Sequence, residues 1–392
     1  MAFAAEKIDP LVPAIEPSAP FTATPGKPPR IVSLDVFRGL AIAAMILVNN
    51  PGDWDNVYRP LAHAEWDGWT MADLVFPFFV FIVGVAITLS LGDAENGGGG
   101  RSRILVRVLR RTVLLFALGL FLNSFMGFEG FAKLRILGVL QRIALCDLAG
   151  SLVFLAAGPL GQALSLVGLL GGYWLALAFI PVPGYGAGAL DPEGNLAAFL
   201  DRRLLGEPHL YHTTWDPEGL LSTLPAIGTT LAGVLAGHWL RTQGDLARKS
   251  FGLVGVGVIA AALGWLLGLW LPINKSLWTS SYAVFTAGLA AALFGVSIWL
   301  VDVRGIRRPL KPLIIFGVNP IAAYVLSSMG SSLMEGIPIG GAGKNLQVWL
   351  YENAFRGWAG PLNGSLLFAV STVLFWFGVM SVFYRRKIFI RV

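Results

Sequence analysis

Apolar runs of about twenty residues recur from one end of this 392-residue chain to the other, and that is the length a helix needs to cross the hydrocarbon core of a bilayer. Inside a bilayer the backbone has no water to bond, so only helices and closed barrels are open to such a chain. A barrel would show short segments of alternating polarity, and these are absent. Charged residues make up 13% of the sequence and hydrophobic ones 55%, whereas soluble domains carry about a quarter charged. The expectation is an all-α, polytopic integral membrane bundle of about ten transmembrane helices, at 34–50, 73–92, 106–126, 134–157, 162–181, 221–240, 250–271, 279–301, 312–330 and 362–384. Residues 1–32, rich in Pro, Ala and Thr, read as a disordered cytoplasmic tail, and 33–392 as a single transmembrane domain. The net charge of +6 needs no nucleic acid, because basic residues at loop ends orient membrane proteins. Ten spans with both termini inside put 19 of the 29 Lys and Arg on the cytoplasmic side and eight opposite, with Arg38 and Arg142 within spans. That bias predicts N-in, C-in. The single cysteine, Cys146, lies inside an apolar run and reads as packing.

The stretch from Ser33 to Leu91 concentrates the groups that can do chemistry. Arg38 and Asn49 are eleven residues apart, so one helical face carries both, roughly 16 Å from each other along the axis. The loop that follows reads His63-Ala-Glu-Trp-Asp-Gly68. An unperturbed imidazole titrates close to neutral pH, which makes His63 the candidate for proton transfer, with Glu65, Trp66 and Asp67 beside it to orient a ring or hold a polar acceptor. A solvated loop histidine is the plain alternative. Arg38 suits either an anionic ligand or a pair with Asp35. Arg142 lies deep in the fourth span, where a guanidinium needs a carboxylate, carbonyls or an anion; Asp73 and Asp147 are the favoured partners. His209, His212 and Asp216 have loosely metal-like spacing without cysteines, and no metal is expected. Asp216 and Glu218 stand where acids cap the sixth span, and Asn274 to Trp278 sit at the mouth of the seventh and eighth. Arg385, Arg386 and Lys387 serve orientation and also suit phosphates.

Several of these stretches occur together in one known family. Leu34-Asp-Val-Phe-Arg-Gly39, Leu-Val-Asn49-Asn-Pro-Gly52, the His63 loop, Asp73-Leu-Val-Phe-Pro-Phe-Phe-Val-Phe-Ile-Val-Gly84 and Leu134-Arg-Ile-Leu-Gly-Val-Leu-Gln-Arg142 resemble the heparan-α-glucosaminide N-acetyltransferase family. So do Asp216-Pro-Glu-Gly219, Pro272-Ile-Asn-Lys-Ser-Leu-Trp278, Gly317-Val-Asn-Pro320 and Arg385-Arg-Lys-Ile-Phe389. The order is the family's, and a short tail stands where the lysosomal enzyme has a large lumenal domain, which points to the bacterial branch and an inner-membrane location. The resemblance implies acetyl transfer from cytoplasmic acetyl-CoA, as co-substrate, to a glucosamine-type amine on the far side. It places the family's essential histidine at His63 and the asparagine ending the first span at Asn49. Arg38, Asn319 and 385–387 are then the candidate CoA contacts. Glu65, Trp66, Asp67, Arg142, Asp216, Glu218, Asn274 and Trp278 are the candidate acceptor contacts. A homodimer is compatible with the resemblance. The rival reading is a secondary transporter of amino sugars or small anions, although no internal repeat is visible.

Overall fold

The long apolar runs form helices throughout the computed structural model, which describes residues 31–96, 100–339 and 344–390. Among the described residues, extended pairing is confined to two isolated bridges, Val182 with Gly186 and Pro338 with Asn345. The helices are α1 Val32–Val48, α2 Met71–Asn96, α3 Arg101–Ser124, α4 Val139–Ala156, α5 Pro159–Phe179, α6 Leu196–Leu204, α7 Thr223–Arg241, α8 Leu246–Leu267 and α9 Ser280–Ile298. They continue with α10 Lys311–Val318, α11 Pro320–Gly336, α12 Leu346–Tyr351, α13 Gly357–Ala359 and α14 Pro361–Arg385. A π turn at Trp299–Val303 extends α9. Residues 1–30, most of the expected tail, and the glycines at 97–99 lie outside the described residues.

Every expected apolar run falls on a helix, but fewer of these pass as spans than expected. Among the described residues, six helices are long and apolar enough to cross a membrane, seven if α10 and α11 count as one. The reasons are local. α1 has only 17 residues, and α7, at the expected 221–240, mixes Thr223, Thr229, Thr230, His238 and Arg241 with its apolar residues. α3 carries five arginines in its first half, at 101, 103, 107, 110 and 111, inside the helix and not in a loop before it. The expected span at 312–330 is broken at Asn319-Pro320, where α10 and α11 meet at 86°; proline cannot continue the hydrogen-bond ladder of the preceding turn.

Contact between helices is made through small residues. A Cβ on Gly39 of α1 would stand 1.7 Å from the carbonyl oxygen of Leu313, and one on Gly317 of α10 equally close to that of Asp35. The same device joins α2 to α7, with Gly84 against the Thr230 carbonyl and Gly233 against that of Phe81. Helices surrounded by lipid gain little from hydrophobic burial against each other, so close backbone approach and van der Waals packing hold them. These crossings fix α1 as the axis of the site. Its first residues, Val32 and Ser33, donate their N–H groups to Asp302 at the end of α9, at 3.1 Å each. Its last turn opens, about 25 Å away along the axis, into the loop that carries His63.

Gly39→Val forces a side chain into a backbone carbonyl of α10. It should lower the melting temperature in detergent markedly, by about 3 kcal/mol or more of stability, and a wild-type melting curve would contradict the crossing described.

Candidate functional site

The loop between α1 and α2 is held at both ends. Asn50, buried at the end of α1, donates to the Ile46 carbonyl (2.7 Å) and so caps an orphan carbonyl of the last turn. It also accepts from Ser331 of α11. Gln347 donates to the Pro51 carbonyl at 2.9 Å, and Asp53 N–H to the Ser365 hydroxyl at 3.1 Å. Of the two adjacent asparagines, Asn50 is therefore structural. Asn49 is exposed, and among the described residues nothing claims its amide.

At the other end of the loop stands Asp73, in the first turn of α2 and 1% exposed. Its Oδ1 lies 2.7 Å from His63 Nδ1. Its Oδ2 accepts from the backbone N–H of Ala64 and of Thr70, both at 3.0 Å, and from the Thr70 hydroxyl at 3.2 Å. Lys275 comes from the loop before α9, its Nζ 3.3 Å from Asp73 Oδ1 and 3.0 and 3.4 Å from His63 Nδ1 and Nε2. Burial pushes the Lys275 ammonium below the ordinary lysine range, against the pull of Asp73. An imidazole that gives its Nδ1–H to the carboxylate keeps the Nε2 lone pair for a substrate proton. The ring is the exposed member of this group. The neighbouring loop is fastened too: Asn274 donates to Asp67 (3.1 Å), Gly68 N–H to the Ile273 carbonyl (2.7 Å), and the Trp66 indole N–H to the Leu190 carbonyl (2.9 Å).

The position of Asp73 has a second anchor. Pro77 lies inside α2 and has no N–H to offer the carbonyl four residues earlier, which is that of Asp73. The Tyr282 hydroxyl of α9 donates to that carbonyl instead, at 2.6 Å. A proline in one helix is thus matched by a tyrosine in another, and the pair sets the turn that presents the carboxylate.

Residues from the sequence-based list separate into three places. His63, Asp67, Asn274 and Trp66 come together as described, with Glu65 exposed beside them. Arg142 and Trp278 lie fully buried beneath, the guanidinium 5.1 Å from the indole ring. Arg142 pairs with neither expected carboxylate: its Nη2 donates to the Gly219 carbonyl and the Ser222 hydroxyl. Asp147 goes to Arg111 at 3.2 Å, and Asp73 to His63. Asp216 and Glu218 both hold Arg135, at 2.7 and 2.6 Å. Burial works against that cation, yet the two carboxylates raise its pKa above the usual arginine value. His209 turns to the Leu134 carbonyl (2.7 Å), so it and Asp216 serve different partners. The third place is the opposite end of α1. There Arg38 lies 3.7 Å from Asp35, and both ends of the Asn319 amide hold the C-terminal segment, donating to the Ile388 carbonyl (2.8 Å) and accepting from Ile390 N–H (2.9 Å). Arg385, Arg386 and Lys387 are exposed just before it.

Sequence reasoning missed three members: Asp73 and Lys275 as partners of the histidine, and Tyr282 as the anchor of the helix turn. Lys275 stood within a quoted motif, and Pro77 signalled that some group must serve the Asp73 carbonyl. No spacing rule joins a loop histidine to residues 10 and 212 positions away.

Two tests follow from this geometry. Tyr282→Phe should lower turnover in the wild type but have little effect beside Pro77→Ala, where residue 77 regains its N–H; equal losses in both backgrounds would show that the pair is not coupled. Asp201 of α6 accepts from Leu220 N–H at 2.8 Å and is raised by burial from 3.8 to about 7. Its contribution to stability is fully present below about pH 4 and is lost as pH rises through about 7. Asp201→Asn should therefore match the wild type at pH 4 and melt higher at pH 8, with a constant offset counting against the assignment.

Comparison with known proteins adds the family. The human protein named heparan-alpha-glucosaminide N-acetyltransferase is 34% identical over 352 residues, 76% of this chain and 52% of its own length. The mouse protein of the same name is 32% identical over 351 residues, 76% and 53%. The chain thus spans about half the length of the curated relatives it matches. The family profile described as heparan-alpha-glucosaminide N-acetyltransferase, catalytic, covers residues 30–268, a stretch that includes His63, Asp73 and Asn49. With more than half of its residues matched, the chain belongs to the heparan-alpha-glucosaminide N-acetyltransferase catalytic family.

Proposed function

We propose that the chain moves an acetyl group from acetyl-CoA at one membrane face to the amine of a glucosamine-type sugar at the other. In this reading it resides in a bacterial inner membrane with the Val32 end of α1 toward the cytoplasm. The observation that carries it is the exposed His63 ring paired with buried Asp73 at 2.7 Å, at the end of the bundle opposite the basic cluster 385–387. A glucosamine amine is nucleophilic only when neutral, and a base must accept its proton as the C–N bond forms. His63 Nε2 takes that proton. Asp73 holds the Nδ1 proton and stabilises the imidazolium, as the carboxylate of a catalytic triad does. The thioester oxygen gains negative charge as the nitrogen adds, and the exposed Asn49 amide is the donor suited to it. When the C–S bond breaks, the departing thiolate takes the proton from His63.

At the other end, exposed Arg385, Arg386 and Lys387 suit the phosphates of CoA. Asn319 positions this cluster by gripping the segment just after it, with both amide atoms occupied by Ile388 and Ile390. Arg142 and Trp278 act on the acceptor indirectly, by supporting the loop that bears Lys275. The 86° break between α10 and α11 also suits a transporter, where interrupted helices bind substrate at mid-membrane. Uptake of amino sugar into vesicles without acetyl-CoA would favour that second reading.

In membranes containing the protein, His63→Ala should stop label passing from acetyl-CoA to glucosamine while leaving expression intact. Asp73→Asn should lower kcat about 100-fold or more, the range of general-base contributions. Full activity in either would end the mechanism. Replacing Arg385, Arg386 and Lys387 together with Ala should raise the acetyl-CoA KM about tenfold or more and leave the sugar KM alone; an unchanged acetyl-CoA KM would remove the cluster from the site.

A further inference from the structure

An aromatic strip leaves the His63 loop and crosses the outer surface. Trp66 meets Trp215 edge to face, with ring centroids 5.0 Å apart. Trp215 stacks on His212 at 4.3 Å, and His212 meets Tyr211 at 4.7 Å. Arg135 lies over the Tyr211 ring at 4.5 Å. Trp66 is three residues from His63, a backbone reach of at most about 11 Å, and Asp67 next to it is tied to Asn274, the neighbour of Lys275.

The strip is built rigidly although much of it is exposed. His212 N–H donates to the Trp215 carbonyl (3.0 Å) and Trp215 N–H to the His212 carbonyl (3.3 Å), which closes a four-residue turn. Arg202 donates to the Thr214 carbonyl at the tip of that turn (2.6 Å), and the Trp66 indole is fixed on Leu190. Tyr211 is nevertheless 59% exposed, and His212 and Thr213 are exposed beside it. Aromatic residues that anchor in a membrane interface stand at the ends of spans. Tyr211, His212 and Trp215 lie in the loop between α6 and α7 and Trp66 in the loop between α1 and α2, and they are packed on one another. Preordered rings with wet edges and neighbouring hydroxyls suit the C–H faces and hydroxyls of a pyranose, since such side chains offer an apolar body and a polar tip.

The charge along the strip narrows the choice of sugar. Its cations are occupied: Arg135 by Asp216 and Glu218, Lys275 by Asp73, and Arg202 by the Thr214 and Glu193 carbonyls. The acids Glu65 and Asp67 flank Trp66 and are exposed, with Arg59 the exposed cation earlier in the same loop. That distribution attracts an ammonium and disfavours a sulfated or uronate-bearing chain.

We propose that Trp66, Trp215, His212 and Tyr211 form a subsite for the sugar rings that follow the reacting glucosamine, so that the acceptor is a short, neutral or cationic amino-sugar oligomer. This rests on the acetyltransferase reading, with the terminal amine at His63. The test compares kcat/KM for glucosamine, a β-linked glucosamine disaccharide and a sulfated glucosamine–uronate disaccharide, using wild type, Trp215→Ala and His212→Ala. The cationic disaccharide should exceed glucosamine by about fivefold to tenfold in the wild type, as one or two ring contacts provide, and the sulfated one should not. In both variants that ratio should fall to about one, with acetylation of glucosamine itself showing that the protein is folded. Equal use of monomer and dimer by the wild type, a ratio kept in both variants, or preference for the sulfated disaccharide would each overturn the subsite while leaving the acetyltransferase reading intact. Acetylation of none of the three would remove that reading and the subsite with it.

Discussion

A carboxylate removed from water must find charge and hydrogen bonds within the protein, because an unpaired buried ion costs several kcal/mol. Asp73, 1% exposed, meets that demand by drawing in His63, Lys275, Ala64 and Thr70. Those partners come from the loop after α1 and the loop before α9, and Asp73 itself stands in the first turn of α2. One ionised group therefore sets the relative positions of three segments, and the histidine is held as part of the same arrangement. The histidine is thus fixed by the interaction that ties this end of the fold together, with its ring left at the surface.

What fixes Asp73 in turn lies deeper. Pro77 withholds an N–H from α2, and Tyr282 supplies the missing donor from α9. Beneath, the buried Trp278 lies between Arg142 and Tyr282, meeting both Tyr282 and Phe76 edge to face. Arg142 meanwhile reaches the carbonyl and hydroxyl that begin α7. Nε and Nη1 of the same guanidinium are buried with no hydrogen-bond partner among the described residues.

Much of this was legible in the sequence, and what was not has physical causes. Run length marked the helices, because a bilayer admits only helices and closed barrels and a barrel would show short alternating segments instead. Residue types singled out the His63 loop, and the structure seats its histidine on buried Asp73. Spacing to Arg38 and the resemblance singled out Asn49, but only packing shows that Asn50 bonds Ile46 and Ser331 while Asn49 stays exposed. Asp73 sat at the head of an apolar run and looked like a partner for Arg142. Lys275 reaches His63 across 212 residues, a proximity made by the folding of α9 against α2. The Asn319-Pro320 break was visible as a sequence irregularity, but the grip of Asn319 on Ile388 and Ile390 was not.

The account as a whole requires that donor and acceptor meet from opposite faces, about 25 Å apart along α1. Sealed vesicles of known orientation, with labelled acetyl-CoA confined to the face bearing Arg385 to Lys387 and glucosamine confined to the other, test this directly. The account predicts labelled N-acetylglucosamine on the glucosamine side and none when the two compartments are exchanged. Product formed only when both substrates share one face would contradict it.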